Sequence, residues 1–512
     1  MQIMKKTAEE TLVFNASNIA GINTLGQLKA LGYVSKSLKD ELRANLKKAI
    51  VNDTPRFQGV LGYEDTVIPQ IENAILAGHN INLLGLRGQA KTRIARSLCS
   101  LLDEYVPVIA GSPLNEDPLN PITKSSKKLI EEKGDDTPIS WWAAADRYLE
   151  KLATPDVTVA DLIGDIDPIK AANLKLSFSD EEAIHYGLVP RANRGIFVIN
   201  ELPDLQAKIQ VALFNVLQES DIQIRGFKVR MPLDTYFVFT ANPEDYTNRG
   251  SIITPLKDRI QAQIVTHYPD SIAVGMQITK QEAKITDEQK QVVFVPEIIE
   301  ELIEQIAVEA RQSEYVDVKS GVSARLTISA YENVVSQCYR RALALGSKEE
   351  IVRIADLFMV VPAINGKIEL VYEGEQEGSV NVANNLICAA LRSLAAVYFK
   401  DLEKKKGGEN KSPYLSITNW FSENPEGLNL LLNANTKDYR KSLEKVDGLK
   451  EIAQKQFKGS YKDKELVLIM EFLLHALAQY SQLDAKLIVG KSFKFGDILS
   501  GYFNFDDGAG LN

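Results

Sequence analysis

The residues best suited to do chemistry are Gly85-Leu-Arg-Gly-Gln-Ala-Lys91-Thr92. A short apolar run, Ile81-Asn-Leu-Leu, precedes them, and a helical pattern over residues 92–102 follows. In this order of strand, glycine loop, Lys-Thr and helix, successive backbone N–H groups can wrap a phosphate while the helix N-terminus adds positive potential. The predicted cofactor-binding loop is therefore Gly85, Arg87, Gly88, Gln89, Ala90, Lys91, Thr92 and Arg93. Lys91 is expected to reach the β- and γ-phosphates of ATP, and the Thr92 hydroxyl to ligate Mg2+. Ala90 stands where a GxxxxGK[ST] loop has its second glycine; alanine fits there if its φ is negative.

A second constellation is Ile196-Phe-Val-Ile-Asn200-Glu201, an apolar strand ending in two polar groups. Such a pair usually reads Asp-Glu, the aspartate holding the hydration shell of Mg2+ and the glutamate orienting the attacking water. A strand-end carboxylate is ordinarily just solvated, but beside a phosphate loop Glu201 is predicted to act as the base. Asn200 is assigned to the metal shell through its amide oxygen, which brings no negative charge, so weaker Mg2+ binding is expected. A third run, Phe237-Val-Phe-Thr240-Ala-Asn242-Pro243, again ends a buried strand in an amide that can bond the attacking water or the γ-phosphate. Arg259, in Pro255-Leu-Lys-Asp-Arg259-Ile, reads on spacing alone as a surface ion pair.

These motifs need elements to hold them. Residues 63–78 have helical spacing and end on glycine, residues 105–110 form a second strand candidate, and residues 141–152 read as a helix. A helix is predicted over 206–218, a hairpin over 222–229 turning at Gly226, and a buried strand over 236–241. Alternating strands and helices imply a mostly parallel α/β sheet. From residue 296 to about 400 the pattern is helical, clearest over 296–309 and 323–345. Residues 404–413 read as a linker, and 464–480 as one strongly apolar helix packed in a core.

The 512 residues carry 59 Lys plus Arg against 68 Asp plus Glu, a formal net charge of −9. That balance argues against a general nucleic-acid binder, although Arg225, Lys228 and Arg230 on the predicted hairpin leave a local basic patch. Cys99, Cys338 and Cys388 lie far apart with no CxxC, which fits a reducing compartment and buried small apolar roles. Four scattered histidines form no HExxH pair. No uninterrupted apolar run reaches the roughly 18 residues of a membrane span, and an acidic pair interrupts the start of the chain, so a cytoplasmic protein with no membrane contact is expected.

Several phrases together resemble AAA+ ATPases of the magnesium chelatase I-subunit type, related to the MoxR-like group. They are Gly111-Ser-Pro-Leu-Asn-Glu-Asp-Pro after the second strand candidate, Asp161-Leu-Ile-Gly-Asp-Ile-Asp-Pro, similar to the family's helix-2 insert, and His185-Tyr-Gly-Leu-Val-Pro-Arg leading towards Glu201. The resemblance covers residues 57–345. It implies a P-loop AAA+ core with a parallel sheet flanked by helices, an α-helical lid, and a mostly helical C-terminal region. It makes Asn242 sensor 1, Arg325 sensor 2 on the lid, and Arg259 an arginine finger directed at a neighbouring subunit's ATP. It further implies a hexameric ring and a separate partner with a von Willebrand factor A domain, since no DxSxS motif occurs in this chain. The expected divisions are a helical segment 1–56, the nucleotide-binding core 57–270, the lid 290–400 and a C-terminal region 414–512. The expected function is an Mg2+-dependent ATP-hydrolysing ring motor that remodels or activates a protein partner. A nucleotide-binding scaffold that hydrolyses little because of Asn200 is the alternative, and a DNA-acting AAA+ protein a second one.

Overall fold

A computed structural model describes residues 13–173, 175, 180–222, 224, 231–243, 251–403, 412–488 and 491–498. The chain divides between His267 and Tyr268 into two compact units.

In the first unit, α1 (Leu38–Val51) starts at Ser37, whose side chain accepts from the Asp40 N–H, and α2 (Val67–Ala77) stops at Gly78, which takes the left-handed φ of 72°. They precede β1 (Ile81–Leu84), α3 (Lys91–Ser97), β2 (Tyr148–Leu152) and β3 (Ile196–Asn200). Then follow α4 (Ala207–Ala212), α5 (Phe214–Glu219), β4 (Tyr236–Ala241), α6 (Thr254–Arg259) and β5 (Ala262–Val265). The five strands form one parallel sheet in the order β5-β1-β4-β3-β2. Parallel strands covered on both faces are continuously apolar, and every residue of β4 is buried. Alternation along β3 and β4 splits their side chains between two cores. Ile196, Val198, Tyr236 and Val238 pack with Leu42, Ile71 and Ile94 of α1, α2 and α3. Phe197, Ile199, Phe237 and Phe239 pack on the other face with Ile209 and Val216 of α4 and α5.

Three local expectations change. Residues 141–152 are not a helix: Ile139–Ala143 pairs antiparallel with Tyr105–Ile109, and β2 joins the edge of the main sheet. Tertiary packing overrides the helix-forming alanines, because the Trp141 ring lies tilted at 54° against Phe14, centroids 4.6 Å apart, and its indole N–H donates to the Ile22 carbonyl. Only one 3-10 turn remains between the strands, and it ends on Arg147. That arginine is fully buried, with its guanidinium forked onto both carboxylate oxygens of Glu41 at 2.7 Å. The strand at 105–109 therefore lies outside the parallel sheet. The helix expected over 206–218 is two successive helices, α4 and α5. Asp221–Ile222 pairs antiparallel with Met231–Pro232, while Arg225, Gly226, Lys228 and Arg230 lie outside the described residues, as do residues 404–411 of the expected linker.

The second unit contains α7 (Glu297–Gln312), α8 (Arg325–Leu345), α9 (Ile354–Leu357), α10 (Ser379–Tyr398), α11 (Thr436–Leu443) and α12 (Leu466–Gln479). One continuous core runs from Ile299 and Leu302 of α7 through Leu386 of α10 to Leu468 and Leu473 of α12. A three-stranded antiparallel sheet of β6 (Leu428–Leu431), β7 (Asp484–Ile488) and β8 (Ser492–Gly496), ordered β6-β8-β7, packs Leu430, Phe493 and Phe495 into that core. By length and composition α10 is apolar enough to cross a membrane, yet Val382, Leu386, Ala390 and Leu394 are buried within this unit.

Candidate nucleotide site

The loop after β1 begins against β4, with the Gly85 N–H donating to the Ala241 carbonyl at 3.1 Å. Gly88 takes φ 74°. Ala90 sits at φ 55°, ψ 15°, contrary to the expected negative φ. The loop has kept the left-handed turn that glycine favours, although an L-residue there costs about 1–2 kcal/mol. The turn delivers the Ala90 carbonyl to the Ile94 N–H at 2.9 Å and so starts α3. Lys91 is buried, and its ammonium donates to the Gly85 carbonyl at 2.5 Å and the Leu86 carbonyl at 3.0 Å. Arg87 and Thr92 are exposed. Arg93 lies along the Gly59 backbone, where a Cβ would come within 2.8 Å of its guanidinium.

The loop is braced from two sides that sequence patterns do not reveal. The Thr266 hydroxyl, one residue beyond β5, donates to the buried Gln89 Oε1 at 2.7 Å. The Tyr63 hydroxyl lies 3.0 Å from the Gln89 carbonyl and 2.7 Å from the His267 carbonyl. A polar residue just past the end of a strand was the available signal for Thr266. Tyr63 gave none, since it precedes the loop by more than twenty residues.

Asn200, Glu201 and Asn242 also stand at the carboxyl edge of the sheet. Register places Leu84 beside Ala241, so Asn242 follows directly from the strand that flanks the loop, and it is buried. Glu201 adopts φ 56°, ψ 50°, a left-handed turn immediately after β3. Its N–H donates to the Thr240 hydroxyl at 3.2 Å, and that hydroxyl lies 3.2 Å from Asn200 Oδ1. Thr240 was quoted in the sequence motif but given no role there.

A glycine-lined turn, a buried lysine and a helix start fit a nucleotide phosphate chain. The fit to Mg2+ is poorer: among the described residues no group of three or more His, Cys, Asp or Glu could hold a metal ion, and the Asn200 oxygen faces Thr240.

A family model described as the Sigma-54 interaction domain matches residues 173–265. The magnesium-chelatase subunit ChlI of a Nostoc species is 27% identical over 236 residues, 44% of this chain and 58% of that protein. The magnesium-chelatase 38 kDa subunit of Rhodobacter capsulatus is 23% identical over 228 residues, 44% of this chain and 59% of that protein. The chain is similar to AAA+ proteins of the magnesium-chelatase type. It spans about three fifths of the length of these curated relatives. A chain from a BchI–BchD magnesium-chelatase complex, built from a cryo-EM reconstruction, is 18% identical with a TM-score of 0.33, covering 62% of this chain and 98% of that one.

The two expected arginines stand on helices α6 and α8. Arg259 ends α6; its guanidinium donates to the Pro255 carbonyl at 2.7 Å and to Gln218 Oε1 at 3.0 Å, and sits 4.7 Å from the Phe214 ring centroid. Both outside partners belong to α5. Arg325 is the exposed first residue of α8 in the second unit, with its N–H on the Ser323 hydroxyl at 3.1 Å. The antiparallel pair Gly164–Ile166 and Ile184–Tyr186 occupies the region resembling the family's insert.

Proposed function

We propose that this AAA+ protein binds and hydrolyses ATP and uses the cycle to remodel or activate a protein partner. The observation that supports it best is the convergence of the Gly85–Lys91 loop, Glu201 and Asn242 at one edge of the β5-β1-β4-β3-β2 sheet. On this reading the loop N–H groups and Lys91 bind the phosphates, Glu201 takes the proton of the attacking water, and Asn242 orients that water. Thr92 is the residue that would hold Mg2+, whose charge lowers the cost of the developing phosphate charge. Arg259 is assigned to a neighbouring subunit's nucleotide and Arg325 to the lid, which together call for a ring, a hexamer in our reading, with a separate von Willebrand factor A partner. The relatives' names support a chelatase-like assembly; porphyrin metallation is not part of the proposal.

ATP turnover of the wild type against Glu201→Gln tests the motor. Turnover should fall at least ~100-fold, and equal turnover would sink it. A second reading, a nucleotide-held scaffold with little turnover, is favoured by Asn200 replacing an acid; there both proteins would bind ATP and neither would hydrolyse it.

A further inference from the structure

The three-stranded sheet of the second unit has one face packed into the core and one face open. Alternation turns Leu428, Leu430, Phe493 and Phe495 into the core, so Asn429, Leu431, Lys486, Ile488 and Lys494 stand on the open side. Register arranges that side in rows. Asn429, Lys494 and Lys486 form one row, and Leu431, Ser492 and Ile488 form the next.

The basic row works against the sheet. Lys486 and Lys494 are direct cross-strand partners, and like charges directly opposite one another destabilise an antiparallel pair. A lysine on an edge strand guards that edge against stray pairing, which accounts for Lys486 on β7. Lys494 lies on β8, the central strand, and guards no edge. Among the described residues neither lysine forms an ion pair, even with Asp484 on the same face, and the exposed Lys491 just before β8 forms none either. The apolar row is open too. Leu431 is 56% exposed and Ile488 38%, and Ser492 between them is too small to cover either.

The two rows lie about 7 Å apart, the spacing of side chains two positions apart on a strand. An extended segment with an acid and an aliphatic residue two positions apart has the same spacing. Its acid would relieve the lysine repulsion while its aliphatic side chain covers Leu431 and Ile488. Nucleic acid fits this face less well. Single strands bind through aromatic platforms, but Phe493 and Phe495 face the core, and the net charge of −9 repels a phosphate backbone.

We propose that this face docks an extended acidic–aliphatic segment of a partner protein. Lys486 and Lys494 hold its carboxylates, and Leu431 and Ile488 hold its aliphatic side chains. Docking here does not depend on the nucleotide site, which lies in the other unit.

The test is fluorescence anisotropy of the full chain with a labelled peptide of Glu-Ser-Leu-Ser repeats, against a Lys-Ser-Leu-Ser peptide of equal length. The acidic peptide should bind at least ~10-fold more tightly, and added salt should weaken it. Lys486→Glu with Lys494→Glu should weaken binding ~10-fold or more, and Leu431→Ser with Ile488→Ser several-fold. Lys127→Glu with Lys128→Glu, two exposed lysines of the first unit, should leave it unchanged. Lys494→Gln should weaken binding yet raise the urea midpoint, because it relieves the repulsion with Lys486, so lost binding is not lost folding. No preference for the acidic peptide, or equal losses in the two charge-reversed proteins, overturns the proposal. Binding of oligothymidylate or phosphatidylserine vesicles without the peptide assigns the face to another polyanion and overturns it as well. So does tighter peptide binding after Asp506→Asn with Asp507→Asn, which makes this chain's own acidic residues the occupant. A dimer that dissociates on Lys486→Glu with Lys494→Glu makes a second copy the occupant, with the same consequence.

Discussion

The Thr266 hydroxyl donates to Gln89 Oε1 at 2.7 Å directly over Gly85, where a Cβ would stand 1.9 Å from that hydroxyl and 2.2 Å from that amide oxygen. The Gly85–Thr92 loop is thus locked to the end of β5 through a space only glycine leaves open. Gly85→Ala should abolish nucleotide binding while leaving far-ultraviolet circular dichroism unchanged. Thr266→Val, which keeps the volume and removes the hydrogen bond, should weaken binding by about 3–10-fold. Full affinity in Gly85→Ala would show that the lock is dispensable.

Ala90 holds a left-handed conformation at φ 55°. Ala90→Gly removes that strain and should stabilise the first unit by about 1 kcal/mol, raising its Tm by about 2–4 °C. The gain is partly offset because glycine is freer in the unfolded chain. A melting curve that moves downwards would contradict the backbone assignment.

Arg259 is held by Gln218 and Phe214 of α5. If it serves a neighbouring subunit's ATP, Arg259→Ala should leave nucleotide affinity intact and lower kcat by about 1000-fold. Phe214→Leu and Gln218→Ala should each lower kcat by about 3–10-fold without changing KM, since they loosen the guanidinium and do not touch nucleotide. Intact hydrolysis in Arg259→Ala ends the assignment.

Glu471 and His475 of α12 set opposing pH responses in the second unit. Burial pushes Glu471 from 4.5 up to about 7, although the Ile354 and Ala355 N–H groups and the Tyr439 hydroxyl all donate to it. Its folded pKa exceeds the unfolded one, so its contribution is complete below pH 4.5 and is lost as pH rises to about 7. Burial against Phe358, Phe493 and Phe495 pushes His475 from 6.5 down to about 3, so its contribution is complete above pH 6.5 and is lost as pH falls towards 3. Between pH 4.5 and 6.5 the two nearly cancel. Relative to the wild type, unfolding free energies from urea titration across that window should fall with rising pH in His475→Phe and rise with pH in Glu471→Gln, each by about 1.4 kcal/mol per unit at most. Parallel curves for all three proteins would refute it.

Much of the fold was legible because its signals are local. The glycine loop between Ile81 and Thr92, the buried runs at 196–200 and 236–241, and the helix end at Gly78 each follow from residue types within a few positions. Helical spacing over 296–309 and 323–345 matches α7 and α8 within a few residues at each end. Residues 141–152 were misread because their partners, Phe14, Ile22 and Tyr105–Ile109, are distant in sequence. The same holds for the sheet around Leu428–Leu431, whose pairing strand begins at Ser492.

The sequence by itself determined that a glycine loop between a strand and a helix, an acid at a strand end and a second strand-end amide exist, because chain order and residue type state those features directly. Only the tertiary structure decided what each group faces. The Asn200 oxygen is turned to Thr240, Gln89 is tied to Thr266, and Arg259 rests on α5. Those contacts join residues some 40 to 180 positions apart, and a hydrogen bond depends on direction and distance in space, which chain order does not carry.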